Sequence, residues 1–267
     1  MKAKVLSYLL LSIASSCYTS AQASERIIDG EKVLKGEYPF FVELNSGSTL
    51  DSHVCGGALL KGRWVITAAH CVSDLPESIE LKAYIERLDF TDQNSYLDKV
   101  NITEIYINPK FFTPPYDGAP DGARNPNGDI ALLKLAHQVN LTDEVYINGI
   151  NADIKIPDGA SVVTMGFGGS DGTHADSNEL EKGKTKIVSY QNCVEPYPGL
   201  PSYIDPHFGG CAVRNTTAGD SGGPWVMKDN NDRNVVVGVT SRGLIDFAQF
   251  TKIDSFSSWI NDIISNN

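Results

Sequence analysis

The chain has no apolar run long enough to cross a bilayer. Its first such stretch, Val5 to Ile13, falls well short of the roughly 20 residues that a spanning helix needs, and nothing later is longer. It has no Cys-x-x-Cys pair, which argues against a thiolate metal site. Basic residues are few, 22 Lys and Arg against 33 Asp and Glu, for a net charge of −11. A chain this acidic is a poor candidate for nucleic-acid binding; a solvated, soluble surface accounts for the acid excess. There is no internal repeat visible by inspection and no low-complexity tract. No histidine follows His207 and no cysteine follows Cys211, and both absences bear on function.

What is present is ordinary globular material. Apolar residues make up 41% and charged residues 21% of 267, and a compact fold of this length buries roughly 70–75% of its unfolded surface. Lys2 and Lys4 precede the Val5–Ile13 run, and Ala21-Gln22-Ala23 is a small-residue cleavage signature, so residues 1–23 read as a secretory signal peptide. Cys17 gives a weak lipid-attachment signal, with Ala14 where a large apolar residue is expected. Removing the signal leaves Cys55, Cys71, Cys193 and Cys211. An even number in an exported chain points to disulfides, with three possible connectivities. The expected location is extracellular, or periplasmic in a bacterium.

Short β-branched and aromatic segments bounded by Gly, Pro, Asn and Asp predict strands at 39–44, 64–67, 79–86, 100–107 and 130–135. Others follow at 161–167, 184–190, 208–213, 235–241 and 247–253. Lys61-Gly62-Arg63 reads as a hairpin turn and 113–128 as a long surface loop. The exception is the end of the chain, where Phe256, Trp259, Ile260, Ile263 and Ile264 recur at helical spacing with Asp254 as the expected N-cap. The expectation is an all-β protein closed by one C-terminal helix.

Gly219-Asp220-Ser221-Gly222-Gly223-Pro224 is the strongest chemical signal. Glycines on both sides let the backbone turn sharply and leave room for a substrate carbonyl beside backbone N–H groups. A serine hydroxyl needs a histidine to take its proton and a carboxylate to orient that histidine. The motif also fits the nucleophile elbow of α/β-hydrolases, whose histidine comes after the serine. Here His53, His70, His137, His174 and His207 all precede Ser221, so the elbow is excluded. His70 lies in Thr67-Ala68-Ala69-His70-Cys71, and Asp129 opens the apolar Asp129-Ile130-Ala131-Leu132-Leu133-Lys134-Leu135.

The order His, Asp, Ser with these flanks resembles the chymotrypsin/trypsin-like serine proteases, from Ile27 nearly to the end. The resemblance implies two antiparallel six-stranded Greek-key β-barrels, about 27–145 and 146–267, with the active site between them. It implies a triad of His70, Asp129 and Ser221, and an oxyanion hole from the N–H groups of Gly219 and Ser221. Arg26-Ile27-Ile28-Asp29-Gly30 resembles the family's activation site; cleavage after Arg26 would release a pro-segment of residues 24–26 and let the Ile27 amine pair with Asp220. Ser241 would support Asp129, Gly243 would bond substrate backbone, and Cys55–Cys71 and Cys193–Cys211 would be the disulfides. No cofactor or metal is implied. The acidic stretch Glu86 to Asp98 could hold calcium, although its spacing fits a solvated loop better. Expected partners are protein or peptide substrates, an activating protease and a protein inhibitor.

The specificity pocket departs from the family pattern. Asn215 stands where trypsin itself has a pocket-floor aspartate, and a neutral amide cannot pair with Lys or Arg as a carboxylate would. Thr217 replaces a usual cysteine, Arg242 a tryptophan before Gly243, and Phe167 another in Gly166-Phe167-Gly168. Asp246 could supply a compensating charge from the pocket wall. Asn101, Asn140 and Asn215 each begin a glycosylation sequon. The rival reading is a secreted binding protein on a protease scaffold.

Overall fold

The structure is a computed structural model that describes residues 30–47, 52–76, 78–115, 117, 119, 121–168, 177–194 and 205–267. The signal segment, Arg26 and Ile27 lie outside them.

Fourteen strands are present among the described residues. Two short ones, β1 (Glu31–Lys32) and β8 (Tyr146–Ile147), lie outside the barrels. The first barrel contains β2 (Phe41–Asn45), β3 (His53–Leu59), β4 (Trp64–Thr67), β5 (Lys82–Ile85), β6 (Asp98–Ile107) and β7 (Ala131–Leu135). It closes in the order β2-β3-β4-β7-β6-β5. The second contains β9 (Ser161–Gly166), β10 (Glu181–Val188), β11 (Gly209–Val213), β12 (Pro224–Lys228), β13 (Asn234–Gly243) and β14 (Phe247–Lys252). Here the order is β10-β11-β14-β13-β12-β9, and the β9–β10 pairing closes the ring. All pairings within the two rings are antiparallel; closure leaves no long strand edge open to another chain.

Strands β3 and β12 carry no strand signal in the sequence. Two glycines interrupt His53–Leu59, and Pro224–Lys228 is a short segment directly after Gly222-Gly223. Both are nevertheless buried and paired, because the ring on either side demands a strand there. The predicted turn at 61–63 is present, with Gly62 at φ +80°.

Each barrel fills its interior with apolar side chains. In the second, Trp225 stacks on Phe250 at 4.4 Å, and its indole N–H donates to Thr240 Oγ1 at 2.9 Å. Phe167 is fully buried at the seam between the barrels, edge-on to Phe41, His53 and Phe90. A phenyl ring in place of the family's tryptophan thus still serves as the apolar seam. Two short helices complete the described elements, α1 (Tyr190–Val194) and α2 (Ser257–Asn266). Asp254 is not the N-cap of α2. A 3-10 turn over Asp254–Phe256 precedes that helix, Phe256 takes the cap position, and the Asp254 carboxylate accepts from the adjacent Ser255 N–H. Ile260 is buried and Trp259, Ile263 and Ile264 pack on the core, as their spacing requires.

Candidate active site

β4 ends at Thr67, and a 3-10 turn over Ala69–Cys71 then presents His70. The Cys55–Cys71 disulfide ties that turn back to β3, and Cys193–Cys211 ties α1 to β11. These are the two pairs the resemblance implies. Closing loops of this size stabilises by about 3 kcal/mol each in the chain-entropy model.

Asp129 follows a second 3-10 turn, Pro126–Gly128, which is capped by the Asn125 side chain. Its carboxylate is buried and heavily constrained. Oδ1 accepts from the His70 backbone N–H at 2.9 Å, while Oδ2 accepts from His70 Nδ1 at 2.9 Å and from Ser241 Oγ at 2.6 Å. Thr251 Oγ1, from β14 of the other barrel, donates to the Asp129 carbonyl at 2.9 Å. Because a carboxylate only accepts, Nδ1 of His70 carries the proton and the neutral ring presents the lone pair of Nε2 to solvent. The His70 side chain is 35% exposed. Partial burial disfavours its charged form, but the hydrogen bond and negative charge of Asp129 outweigh this and raise its pKa. No hydrogen bond joins Nε2 to Ser221 Oγ in this structure; the Cys71 sulfur lies 3.8 Å from Nε2. Such bonds are commonly loose without substrate and tighten in the complex.

Ser221 sits on a tightly bonded loop. Its carbonyl accepts from the Gly56 N–H of β3 at 2.7 Å, Gly222 N–H donates to Thr240, and Gly223 N–H donates to Asp220. Gly219 has φ +98°, a conformation that favours glycine. The N–H groups of Gly219 and Ser221 donate to no group among the described residues. Two unspent donors beside a serine are the groups that the resemblance assigns to a developing oxyanion.

Asp220 is the second buried aspartate of the site. Its two oxygens accept from the N–H groups of Gly168 and Thr217, each at 2.8 Å. A side chain at position 168 would collide with that carboxylate, its Cβ falling 2.5 Å from Oδ2, so the glycine is required for close approach. Burial pushes the Asp220 carboxyl up to about 6, against the lowering effect of the two N–H bonds and of His53.

Of the residues expected at the specificity pocket, Asn215 is buried, its Nδ2 donating to Thr164 Oγ1 at 2.8 Å, while its Oδ1 has no hydrogen-bond partner among the described residues. Burial makes its sequon inaccessible in the folded chain, whereas Asn101 and Asn140 are exposed. Gly243 and Asp246 are exposed, and the Asp246 carbonyl accepts from the Arg214 N–H. The Arg214 guanidinium reaches the carbonyls of Thr216, Leu244 and Ile245 at 3.3, 3.1 and 3.4 Å. It thereby joins the 214–216 segment to the 244–245 turn. The sequence gives no sign of this brace, because its acceptors are backbone atoms of a distant segment. Arg242 donates to Gln249, whose amide lies 3.8 Å from both sulfurs of Cys193–Cys211. In the 86–98 stretch, Asp89 and Asp92 accept turn hydrogen bonds from Thr91 and Asn94. Cys55, His70 and Cys71 are the one cluster of metal-ligand types among the described residues, but its two sulfurs are in a disulfide.

The two closed barrels and the residues gathered between them are of the trypsin-like peptidase class. The family model described as Trypsin matches residues 27–260, and the chain belongs to that family. It is 27% identical to an ovochymase of Halocynthia roretzi over 95% of this chain and 16% of that protein. It is likewise 27% identical to melanization protease 1 of Drosophila melanogaster, over 95% of this chain and 68% of the relative. The structure of the Vibrio cholerae VesB protease matches with a TM-score of 0.71 at 25% identity, covering 90% of this chain and 68% of that one. The chain thus spans about one-sixth of the ovochymase and about two-thirds of the other two.

Proposed function

We propose that this chain is a secreted serine endopeptidase, made with a signal peptide over residues 1–23 and held inactive until cleavage after Arg26. The supporting observation is the combination of a fixed Asp129–His70 pair with unspent Gly219 and Ser221 N–H donors beside the Ser221 loop. In this reading Ser221 Oγ attacks the scissile carbonyl as His70 Nε2 takes its proton. The oxyanion settles on the Gly219 and Ser221 N–H groups, and the amine leaves with the proton from His70. Water then enters, gives its proton to His70, and hydrolyses the acyl-enzyme. Gly243 hydrogen-bonds substrate backbone. Cleavage after Arg26 provides the Ile27 ammonium as the missing partner for the Asp220 carboxylate. Asn215 makes a neutral pocket floor, so cleavage is not restricted to Lys and Arg; Asp246, exposed at the rim, supplies little charge there.

The test is to cut the chain after Arg26, treat it with a serine-reactive fluorophosphonate, and digest a mixed peptide library. Labelling at Ser221 and defined peptide cuts are expected, both abolished in Ser221→Ala, whose rate falls at least ~10³-fold. Absence of labelling and of cuts would favour the binding-protein alternative.

A further inference from the structure

A second carboxylate–imidazole pair lies behind the oxyanion loop. His53, at the start of β3, has a side chain only 3% exposed, packed edge-on to Phe90 and Phe167. Its Nδ1 is 3.0 Å from Glu43 Oε1, and its Nε2 is 2.9 Å from the carbonyl oxygen of Gly219. Glu43, on β2, is fully buried, and the same oxygen also accepts from Asn45 Nδ2 at 2.8 Å. The other charges near the ring are Arg87, 3.8 Å from Glu43 Oε2, and the Asp220 carboxylate, which senses His53 electrostatically. A carbonyl oxygen accepts and never donates, so Nε2 must carry a hydrogen. Glu43 Oε1 holds the other ring nitrogen, so the two contacts together fix the orientation of the ring.

The position of the contact gives it a role. The Gly219 carbonyl belongs to the peptide that lies between the two oxyanion donors in the chain, the N–H of Gly219 and that of Ser221. Holding that carbonyl restrains the peptide that joins the two donors and so limits how far either can turn. Resting on the protease reading above, we propose that His53, oriented by Glu43, is a positioning residue for the oxyanion hole, acting through the hydrogen bond from Nε2 to Gly219. It touches no substrate. Its contribution is pre-organisation: without the bond, the loop's glycine is free to rotate and the donors must be re-aimed at each turnover.

The test compares three substitutions in the Arg26-cleaved chain. His53→Phe keeps a ring in the apolar slot and removes the donor. His53→Gln places an amide N–H near the site of Nε2, whereas His53→Asn reaches only to the site of Nδ1. His53→Phe is expected to lose about 10- to 100-fold in kcat with KM changed less than about threefold, and to bind a peptide aldehyde correspondingly more weakly. His53→Gln should recover most of that loss, and His53→Asn little of it. If the Phe variant does not fold, the Gln–Asn comparison decides alone. Equal kcat in all variants, or rescue by Asn as good as by Gln, overturns the proposal. Fluorophosphonate labelling of the unsubstituted chain is read in parallel. If that chain does not react, the protease reading itself has failed; if it reacts and the variants do not differ, only the role of His53 has.

Discussion

Asp129 and Asp220 are both buried, both lie between the barrels, and differ in how far their carboxylates are satisfied. Asp129 accepts three hydrogen bonds, two of them from His70, and its own carbonyl is held by Thr251. Asp220 is entirely shielded from water and accepts from the backbone of Gly168 and Thr217, with a weak contact from the Thr217 hydroxyl at 3.5 Å. Asp129 has a full set of partners from the folded chain; among the described residues Asp220 is a buried carboxyl with no cation in ion-pair contact. Burying an unpaired charge is costly, and its pKa of about 6 reports that cost. The difference separates what folding builds from what cleavage after Arg26 is proposed to complete.

The sharpest break in this comparison comes from removing the charge of Asp220. Asp220→Asn keeps an acceptor for one N–H but gives an incoming ammonium nothing to pair with. Cut after Arg26, this variant should remain about 10²–10³-fold less active than the unsubstituted enzyme, the scale of a lost oxyanion donor. The check is steady-state kinetics on one peptide substrate, with gel confirmation of the cut. Activity near the normal level would show that Asp220 needs no cation.

Stability against pH gives the next largest effect. In the uncut chain the Asp220 pKa is raised from 3.8 to about 6. A carboxyl with a raised folded-state pKa is protonated in both states below about pH 4, where the fold bears no penalty. Above that the unfolded chain ionises first, so stability is lost as pH rises through about 6. The loss is of order 3 kcal/mol. The uncut chain should therefore show a falling Tm contribution over that window, absent from uncut Asp220→Asn and reduced after cleavage. Coincident pH profiles for all three would refute the account. For His70 the sign bears on the proposed catalysis: its pKa is raised in the free enzyme and the base must be neutral, so the acid limb of kcat/KM should lie above that of an ordinary histidine.

Much of this site was legible in the sequence, and what was not has a common cause. Order and flanking residues single out His70, Asp129 and Ser221 because each stands in a local motif, and the fold pairs His70 with Asp129. Ser241 was assigned from the resemblance and does donate to Asp129. Thr251, Arg214 and the Glu43–His53 pair went unnoticed, since each acts across 10 to 166 positions on a partner that no local pattern names. The same holds for β3 and β12, whose strand identity comes from their neighbours in the ring rather than from β-propensity. Asp254 failed as an N-cap because the chain enters the last helix through a 3-10 turn.

On the Asp129 side, Ser241→Ala tests redundancy. It removes one of three bonds to the carboxylate and leaves both bonds to His70. The expected loss is about tenfold or less in kcat, within the range of a hydrogen bond to a charged group. A loss as large as that of Asp220→Asn would mean that Asp129 is not held independently by His70.

The smallest effect belongs to Arg214, and it sharpens the contrast because it acts on one aspartate's surroundings alone. Its guanidinium holds the Thr216 carbonyl on one proposed pocket wall and those of Leu244 and Ile245 on the other. The next residue, Thr217, supplies an N–H to Asp220. Arg214→Ala should let the walls separate, raising KM about three- to tenfold, while kcat changes little because the Asp129–His70 pair is untouched. The fold should lose about 1–2 kcal/mol from the unbraced carbonyls, read as a lower Tm in both cut and uncut chains. Arg214→Lys, a single ammonium that cannot span three carbonyls, should recover only part of either effect. A kcat loss equal to the KM change would instead show that the brace reaches the reacting groups, and that the pocket and the Asp129 side are one mechanical unit.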